Sequence, residues 1–256
     1  MGNPRPGKGF LVSKYSDEFY STRRAHTLAS AMTVLSAVRA SFHFDSVVDL
    51  GCGTGTWLAA AAELGASRLR GLEGNWVTRD MLDAPAIELN NLDLSRPIPV
   101  EAIGRFDLAI CLEVAEHLPP HRADGVVDEL CSMSDVVLFG AAVPGQRGVG
   151  HVNEQWQTYW QVRFADRGYS PNDLRPLFWS DEQVLPHYAQ NSFVYTKGGP
   201  VLAPSGFPVN IVHPGVLQQY EHPSVKLLLK LNAEFPRATA RAIARRLPKP
   251  SASRTE

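Results

Sequence analysis

Glu113-Val-Ala-Glu116-His117 places two carboxylates and an imidazole at positions i, i+3 and i+4. On a helical turn these side chains project to one side, and together they form a donor set for a divalent cation. A second imidazole, His151, follows the next apolar strand pattern and reaches the same sheet edge. A cation, or His151 alone, meets one chemical need: removing the proton of a hydroxyl, which is a poor nucleophile near neutral pH. An imidazole is largely neutral at cellular pH, so His151 is the candidate general base. His121, His187, His213 and His222 stand in less convergent surroundings and are assigned no chemistry.

A second group of residues concerns a bound cofactor. Val47-Val48-Asp49-Leu50 is an apolar strand that runs into Gly51-Cys52-Gly53-Thr54-Gly55, and Arg68 to Glu73 is the next strand. A glycine-rich turn between strand and helix lets a ligand lie against bare backbone, and an acid at the tip of the following strand grips a ribose diol. The dinucleotide fingerprint Gly-x-Gly-x-x-Gly is not met, because Thr56 stands where the third glycine would fall. No Gly-Lys-Ser/Thr follows the turn either, so a Walker-type phosphate loop is excluded. Asp49 is placed to receive a cationic or amine-bearing ligand, which suits an amino-acid-like sulfonium better than a pyrophosphate.

Asp49 to Gly55 resembles the first motif of the class I S-adenosylmethionine (SAM) methyltransferases, with Glu73 as the ribose acid. The resemblance implies SAM as cofactor. It implies that Gly51, Gly53 and Gly55 admit the methionyl and ribose portions, with Asp49, Cys52 and Gly74 beside them. Asp93 and Leu94 would face the adenine, and Cys111, Leu112 and Glu113 would form the floor. Gly150 to Trp156, Tyr159-Trp160, Phe164, Gly168-Tyr169, Trp179-Ser180-Asp181, Tyr188 and Gln190-Asn191 resemble a bacterial branch of these enzymes associated with natural-product or glycan pathways. This likeness covers about residues 10 to 200. The Glu-x-x-Glu-His motif with a later histidine is similar to the metal site of the Hen1-type RNA 2'-O-methyltransferases, and its first part to the ubiquinone-pathway O-methyltransferases. By position, Glu113, Glu116, His117 and His151 would hold Mg2+ or a similar ion against two substrate oxygens. Relatives without a metal imply another arrangement, in which Glu113 contacts the cofactor's amino end and Glu116-His117 orders the loop.

These residues need a frame that gathers them. Apolar patterns predict strands at 47–50, 68–73, 87–93, 105–112 and 135–140, with helices at 57–64 and 122–133 between them. Asn153 to Arg167 reads as a helix that stops at Gly168. Leu174 to Trp179 and Asn191 to Lys197 read as the last two strands, the second an antiparallel edge partner. Alternating strands and helices imply an α/β fold, a doubly wound, Rossmann-like seven-stranded sheet with helices on both faces and its ligand at the carboxyl ends of the strands. A methyltransferase domain is expected over 16–200, after a mobile stretch at 1–15. Its leading helix, Ser16 to Ser41, either folds Phe19 and Tyr20 over the cofactor as a lid or packs as an ordinary helix. An extension follows over 201–256, with a basic helix at 224–246 that Pro236 interrupts; it reads as solvated or oligomer-packing rather than membrane-lying.

A formal charge of −1 provides no basic field to gather nucleic acid. Three cysteines form no metal spacing and cannot all pair, which points to a reduced cytoplasm. No run approaches the roughly 20 apolar residues that span a bilayer, and no secretory core opens the chain. The expected function is SAM-dependent O-methylation of a small hydroxylated metabolite or glycan. Asn153, Trp156, Tyr159, Trp160, Tyr188 and Asn191 are the candidate acceptor-pocket residues, with Glu113, His117 and His151 as the catalytic set. N- or C-methylation, RNA 2'-O-methylation and SAM binding without turnover are the alternatives, and a homo-oligomer is open.

Overall fold

A computed structural model describes residues 17–199, 206 and 208–218, and the side chains among them from residue 24 onward. Phe19, Tyr20, the expected mobile stretch at 1–15 and the basic helix at 224–246 lie outside the described residues or side chains. The strands are β1 (Ser46–Leu50), β2 (Arg68–Glu73), β3 (Ile87–Asn91), β4 (Leu108–Leu112), β5 (Val136–Gly140), β6 (Ser170–Asn172) and β7 (Phe193–Thr196). The helices are α1 (Asp17–Ser41), α2 (Thr56–Glu63), α3 (Val100–Ile103), α4 (Ala123–Met133), α5 (Gln157–Ala165), α6 (Arg175–Phe178), α7 (Pro186–Asn191) and α8 (Pro214–Gln218). The residues through His213 make one compact unit, and α8 belongs to a second one, Pro214–Glu256. Residues 208–211 are tied into the first unit: the buried Arg175 guanidinium donates to the Pro208 and Val209 carbonyls, and Gln157 to that of Ile211.

The sheet runs β3-β2-β1-β4-β5-β7-β6, parallel except for β7, which is antiparallel to both its neighbours. Pleating sends alternate residues to opposite faces. Val48, Leu50, Ala109, Cys111, Val137 and Phe139 pack with α4 and α5. Val47, Leu108, Ile110 and Leu138 pack with α1 and α2 on the other side. Strands covered on both faces need apolar residues throughout, and β4, Leu-Ala-Ile-Cys-Leu, is buried at every position. The register pairs Leu50 with Leu72, Asp49 with Ile110 and Leu112 with Gly140. The turn after β1, Glu73, Glu113 and Ala141 therefore emerge side by side at one edge.

Two expectations need correction. Residues 174–179 are not a strand: Leu174 and Phe178 are buried four residues apart while Leu177 is exposed, which is helical spacing rather than alternation. Pro176 sits at the first turn of α6, and the Asp173 carboxylate accepts from the Arg175 N–H. The sixth strand is instead the three-residue β6, whose Pro171 pairs with Tyr195; it forms the edge, and β7 lies inside. The second correction is the start of α5, at Gln157 rather than Asn153. Residues 152–155 are held extended because the Val152 and Asn153 N–H groups donate to the Glu116 carbonyl and Gln155 N–H to that of Ala142. The far end of the helix stops as expected at Gly168, with φ +80°.

An aromatic cluster seats α5 on the sheet. Phe164 stacks on Tyr195 with centroids 3.9 Å apart and meets Phe139 edge-on at 5.3 Å, while Trp160 lies 5.0 Å from Phe139. Phe164 is wholly buried, so Phe164→Ala is expected to destabilise the fold by about 3–5 kcal/mol. Urea unfolding of the full-length variant measures it.

Candidate active site

The turn after β1 carries a run of left-handed backbone. Gly51, Gly53 and Gly55 have φ of +78°, +53° and +82°, a region that L side chains enter at a cost of roughly 1–2 kcal/mol. A Cβ at Gly55 would stand 2.5 Å from Ile87 Cδ1, so that glycine is also fixed by packing. At Gly53 a Cβ would meet nothing within 4 Å: the turn faces open space there. Gly53 N–H donates to Glu73 Oε2 at 2.9 Å, and Gly74 N–H donates to Glu73 Oε1 at 2.7 Å. Glu73 is thus a buried carboxylate aimed at the open side of the turn. The side chain of Trp76, itself largely exposed, lies across the space above Gly74.

Asp49 is buried one strand away from that carboxylate. Burial, then the nearby Glu73 charge, pushes its carboxyl up to about 8. The Cys52 thiol is raised by burial and by Asp49 and Glu73, and burial does the same to Cys111, so neither is a nucleophile. Leu112 ends β4, and Leu94 packs in the core. Asp93 lies two residues beyond β3 with its carboxylate outward; it accepts from Ser95 N and Oγ at 3.0 and 2.6 Å and pairs with Arg96 at 3.3 Å. The Ser95 bonds hold it below the usual carboxylate range.

The Glu113-to-His117 segment does not form the expected helical turn. Glu113 takes φ +57°, a left-handed conformation for a non-glycine residue, and a 3-10 turn begins only at Ala115. Its carboxylate swings away from Glu116 and His117 and accepts from Gln146 Nε2 at 2.6 Å and Asn191 Nδ2 at 2.8 Å. Burial outweighs those two bonds and raises its carboxyl to about 7. Glu113 thus belongs to a buried amide network with Gln146, Gln190 and Asn191, not to the cation cluster.

The remaining three expected donors do converge. Glu116, His117 and His151 offer ligand atoms within 4.8 Å of one another. The two imidazoles meet edge to face with centroids 4.7 Å apart, and His151 Nε2 lies 3.9 Å from Glu116 Oε1. Glu116 is completely buried; the backbone N–H groups of Glu116 and Ala142 lean towards its carboxylate, but neither oxygen closes a hydrogen bond of full geometry among the described residues. Its carboxyl is pushed well above the ordinary value by burial, then by Glu113; burial and His151 pull the His117 imidazole down. A wholly buried carboxylate so weakly bonded carries a large desolvation cost unless it takes a proton or a cation, and the two imidazoles make the cluster fit a divalent ion.

The expected acceptor-pocket residues divide. Asn191 reaches Glu113, and Asn153 lies buried beside the 3-10 turn, donating to the Ala115 carbonyl at 3.5 Å. Tyr188 stands edge-on to Trp57 at 5.0 Å, and Trp156 is the residue before α5. Trp160 is core, sealed against Phe139, and Tyr159 packs on its flank under the Arg163 guanidinium. Burial in the sheet leaves the Trp160 ring no open wall to line, while Tyr159 stays half-buried. Gln146, Gln190 and Glu154 are the site residues that sequence reasoning missed. Glu154 and Gln190 fall inside the stretches that resemble the bacterial branch but were given no role, and Gln146 had only its place in the glycine-bearing stretch after β5, because single amides and acids carry no periodicity.

No family model matches the chain. The chloroplastic magnesium protoporphyrin IX methyltransferase of Arabidopsis thaliana is 29% identical over 121 residues, which is 43% of this chain and 36% of that protein. The chain thus spans about a third of the length of that curated relative. Among solved structures, a sugar N-methyltransferase from Streptoalloteichus matches with a TM-score of 0.53 and 16% identity, covering 77% of this chain and 98% of that one. The magnesium protoporphyrin IX methyltransferase of Synechocystis with bound SAM gives 0.49 and 18%, over 73% and 86%. The chain has the class I methyltransferase fold, with the seven-stranded sheet expected of it.

The raised Asp49 carboxyl has a measurable consequence. Between its ordinary 3.8 and about 8 the folded chain holds a proton that the unfolded chain releases, so Asp49 makes stability fall as pH rises through that window. Asp49→Asn is expected to be more stable than the parent at pH 8, with the difference shrinking towards pH 4. Unfolding midpoints of the ligand-free proteins across that range check it.

Proposed function

We propose that this chain is a SAM-dependent methyltransferase that methylates a hydroxyl of a small metabolite or glycan. The observation that carries the reading is the turn at Gly51–Gly55, open at Gly53 and backed by the fixed carboxylate of Glu73. Glu73 already accepts one backbone N–H on each oxygen, and its remaining lone pairs suit two ribose hydroxyls. Asp49 lies where the cationic amino-acid end falls, and a positive group there favours its ionised form. Asp93 and Leu94 border the adenine side; Cys52, Gly74, Cys111, Leu112 and Glu113 complete the walls. Bound in this cradle, SAM supplies a methyl group on a sulfonium that is already a strong leaving group.

The acceptor side falls to the cluster at the same edge. Without a cation, His151 takes the hydroxyl proton as the methyl group transfers, and His117 and Glu116 stand against it. A divalent cation held by Glu116, His117 and His151 would supply Lewis acidity that makes an acceptor hydroxyl easier to ionise. The buried Glu116 carboxylate beside two imidazoles supports that ion, and the departure of Glu113 reduces the protein donors from four to three. Asn153, Trp156, Tyr188 and Asn191 are left to border the acceptor. The three unpaired thiols accord with a reducing, cytoplasmic setting, and no described helix is long and apolar enough to cross a membrane.

Calorimetry with S-adenosylhomocysteine tests the cofactor half: the parent binds, and Glu73→Ala binds at least roughly tenfold more weakly, the loss of about 1.4 kcal/mol from one charge-assisted contact. No heat with the parent would sink the reading. For the acceptor half, radiolabelled methyl transfer to metabolite extracts identifies the product. His151→Ala is expected to lower turnover by roughly a hundredfold or more if oxygen is methylated, and a chelator lowers the parent's turnover only if a cation takes part. A nearly unchanged rate would favour an amine or enolate acceptor instead. Binding without any labelled product would mark a SAM-binding protein, and labelled RNA the 2'-O alternative.

A further inference from the structure

We propose that Glu154 is a positioning residue that sets the tautomer and aim of His151. The inference rests on the reading of His151 as the acting imidazole, but its test does not require turnover. Glu154 Oε1 lies 3.0 Å from His151 Nδ1 and accepts the Arg147 N–H at 2.7 Å; Oε2 accepts the Gly145 N–H at 2.7 Å. The two backbone donors pin the carboxylate from both oxygens, so it faces His151 as a fixed acceptor. A carboxylate has no proton to give, which leaves His151 Nδ1 as the donor and makes Nε2 the bare nitrogen.

The consequence is directional. Nε2 faces Glu116 Oε1 at 3.9 Å and belongs to the cluster with His117, so the lone pair points into the site whether it takes a proton or holds a cation. Free histidine favours the opposite tautomer, with the proton on Nε2, which would present an N–H to the site and disable both roles.

The loop is shaped around this arrangement. Arg147 is held at φ +57° while its N–H donates to Glu154, and the Glu116 carbonyl fastens the far end through Val152 and Asn153. A Cβ at Gly148 would stand 2.1 Å from His151 Nε2. Only a residue without a side chain lets the loop pass the face of that ring. Glu154 bonds to neither the cofactor turn nor Glu116, although its charge adds a lesser push to the Glu116 carboxyl, so its side-chain contact with the cluster is through His151.

The test is a long-range 15N–1H correlation spectrum of the imidazoles in the full-length, metal-free chain, recorded at a pH where the rings are neutral, with His151 assigned by its disappearance in His151→Ala. The expected spectrum shows His151 protonated at Nδ1 and bare at Nε2. In Glu154→Ala the signal moves towards the Nε2–H form, and kcat falls about ten- to a hundredfold, the range seen for partners that orient a functional imidazole, with KM little changed. A wild-type His151 protonated at Nε2 overturns the proposal without any variant, as does a folded Glu154→Ala whose tautomer is unaltered. If no acceptor is ever methylated, the function fails while the tautomer result still decides the role of Glu154.

Discussion

The hydrogen bond from the Gly53 N–H to Glu73, beside those from the Gly51 and Cys52 N–H groups to the Leu72 carbonyl, joins the turn after β1 to the tip of β2. It requires the register that pairs Leu50 with Leu72, and that register requires both faces of the sheet to be buried in the observed phase. A slip of one residue would turn Val47 and Val48 to the wrong helices and carry Glu73 away from the turn. The geometry at the cofactor edge is therefore a consequence of packing two layers of helices on one sheet.

That edge concentrates buried acids. Asp49, Glu113 and Glu116 all have carboxyls raised by burial, each at the end of a strand or just past it. They are answered differently: Glu113 by two side-chain amides, Asp49 by no hydrogen bond among the described residues, and Glu116 by two nearby imidazoles. Acids left in apolar surroundings weaken a fold, and their grouping where the strands end is what a site arranged for charged ligands requires. The fold carries that burden through the aromatic cluster beneath α5 and the wholly apolar β4.

The parallel strands and the motif of bare backbone were legible because their signals are local: continuous apolar runs, glycines at alternate positions, an acid at the next strand's end. The last third was less so. Residues 174–179 are apolar enough for a strand, and only the exposure of Leu177 between buried Leu174 and Phe178 shows the helix. The Glu-x-x-Glu-His spacing led to a four-donor cluster, but the spacing holds only if Glu113 is helical, and its left-handed backbone sends the carboxylate to Asn191, 78 residues away. His151 and Glu116 were found because imidazole and paired acids are chemically rare. Glu154 and Gln146 went unassigned because their partners are backbone amides and distant amides, which leave no pattern in the sequence.

The outermost strand on one side is the short Ser170-Pro171-Asn172 segment. Its imino residue has no amide hydrogen to offer a newcomer, and three residues give little length on which another strand could template. That flank of the sheet is thereby closed to runaway edge-to-edge polymerisation, and intermolecular association through the sheet would have to use the opposite flank, where Glu88 of β3 extends an exposed charge paired with Arg70.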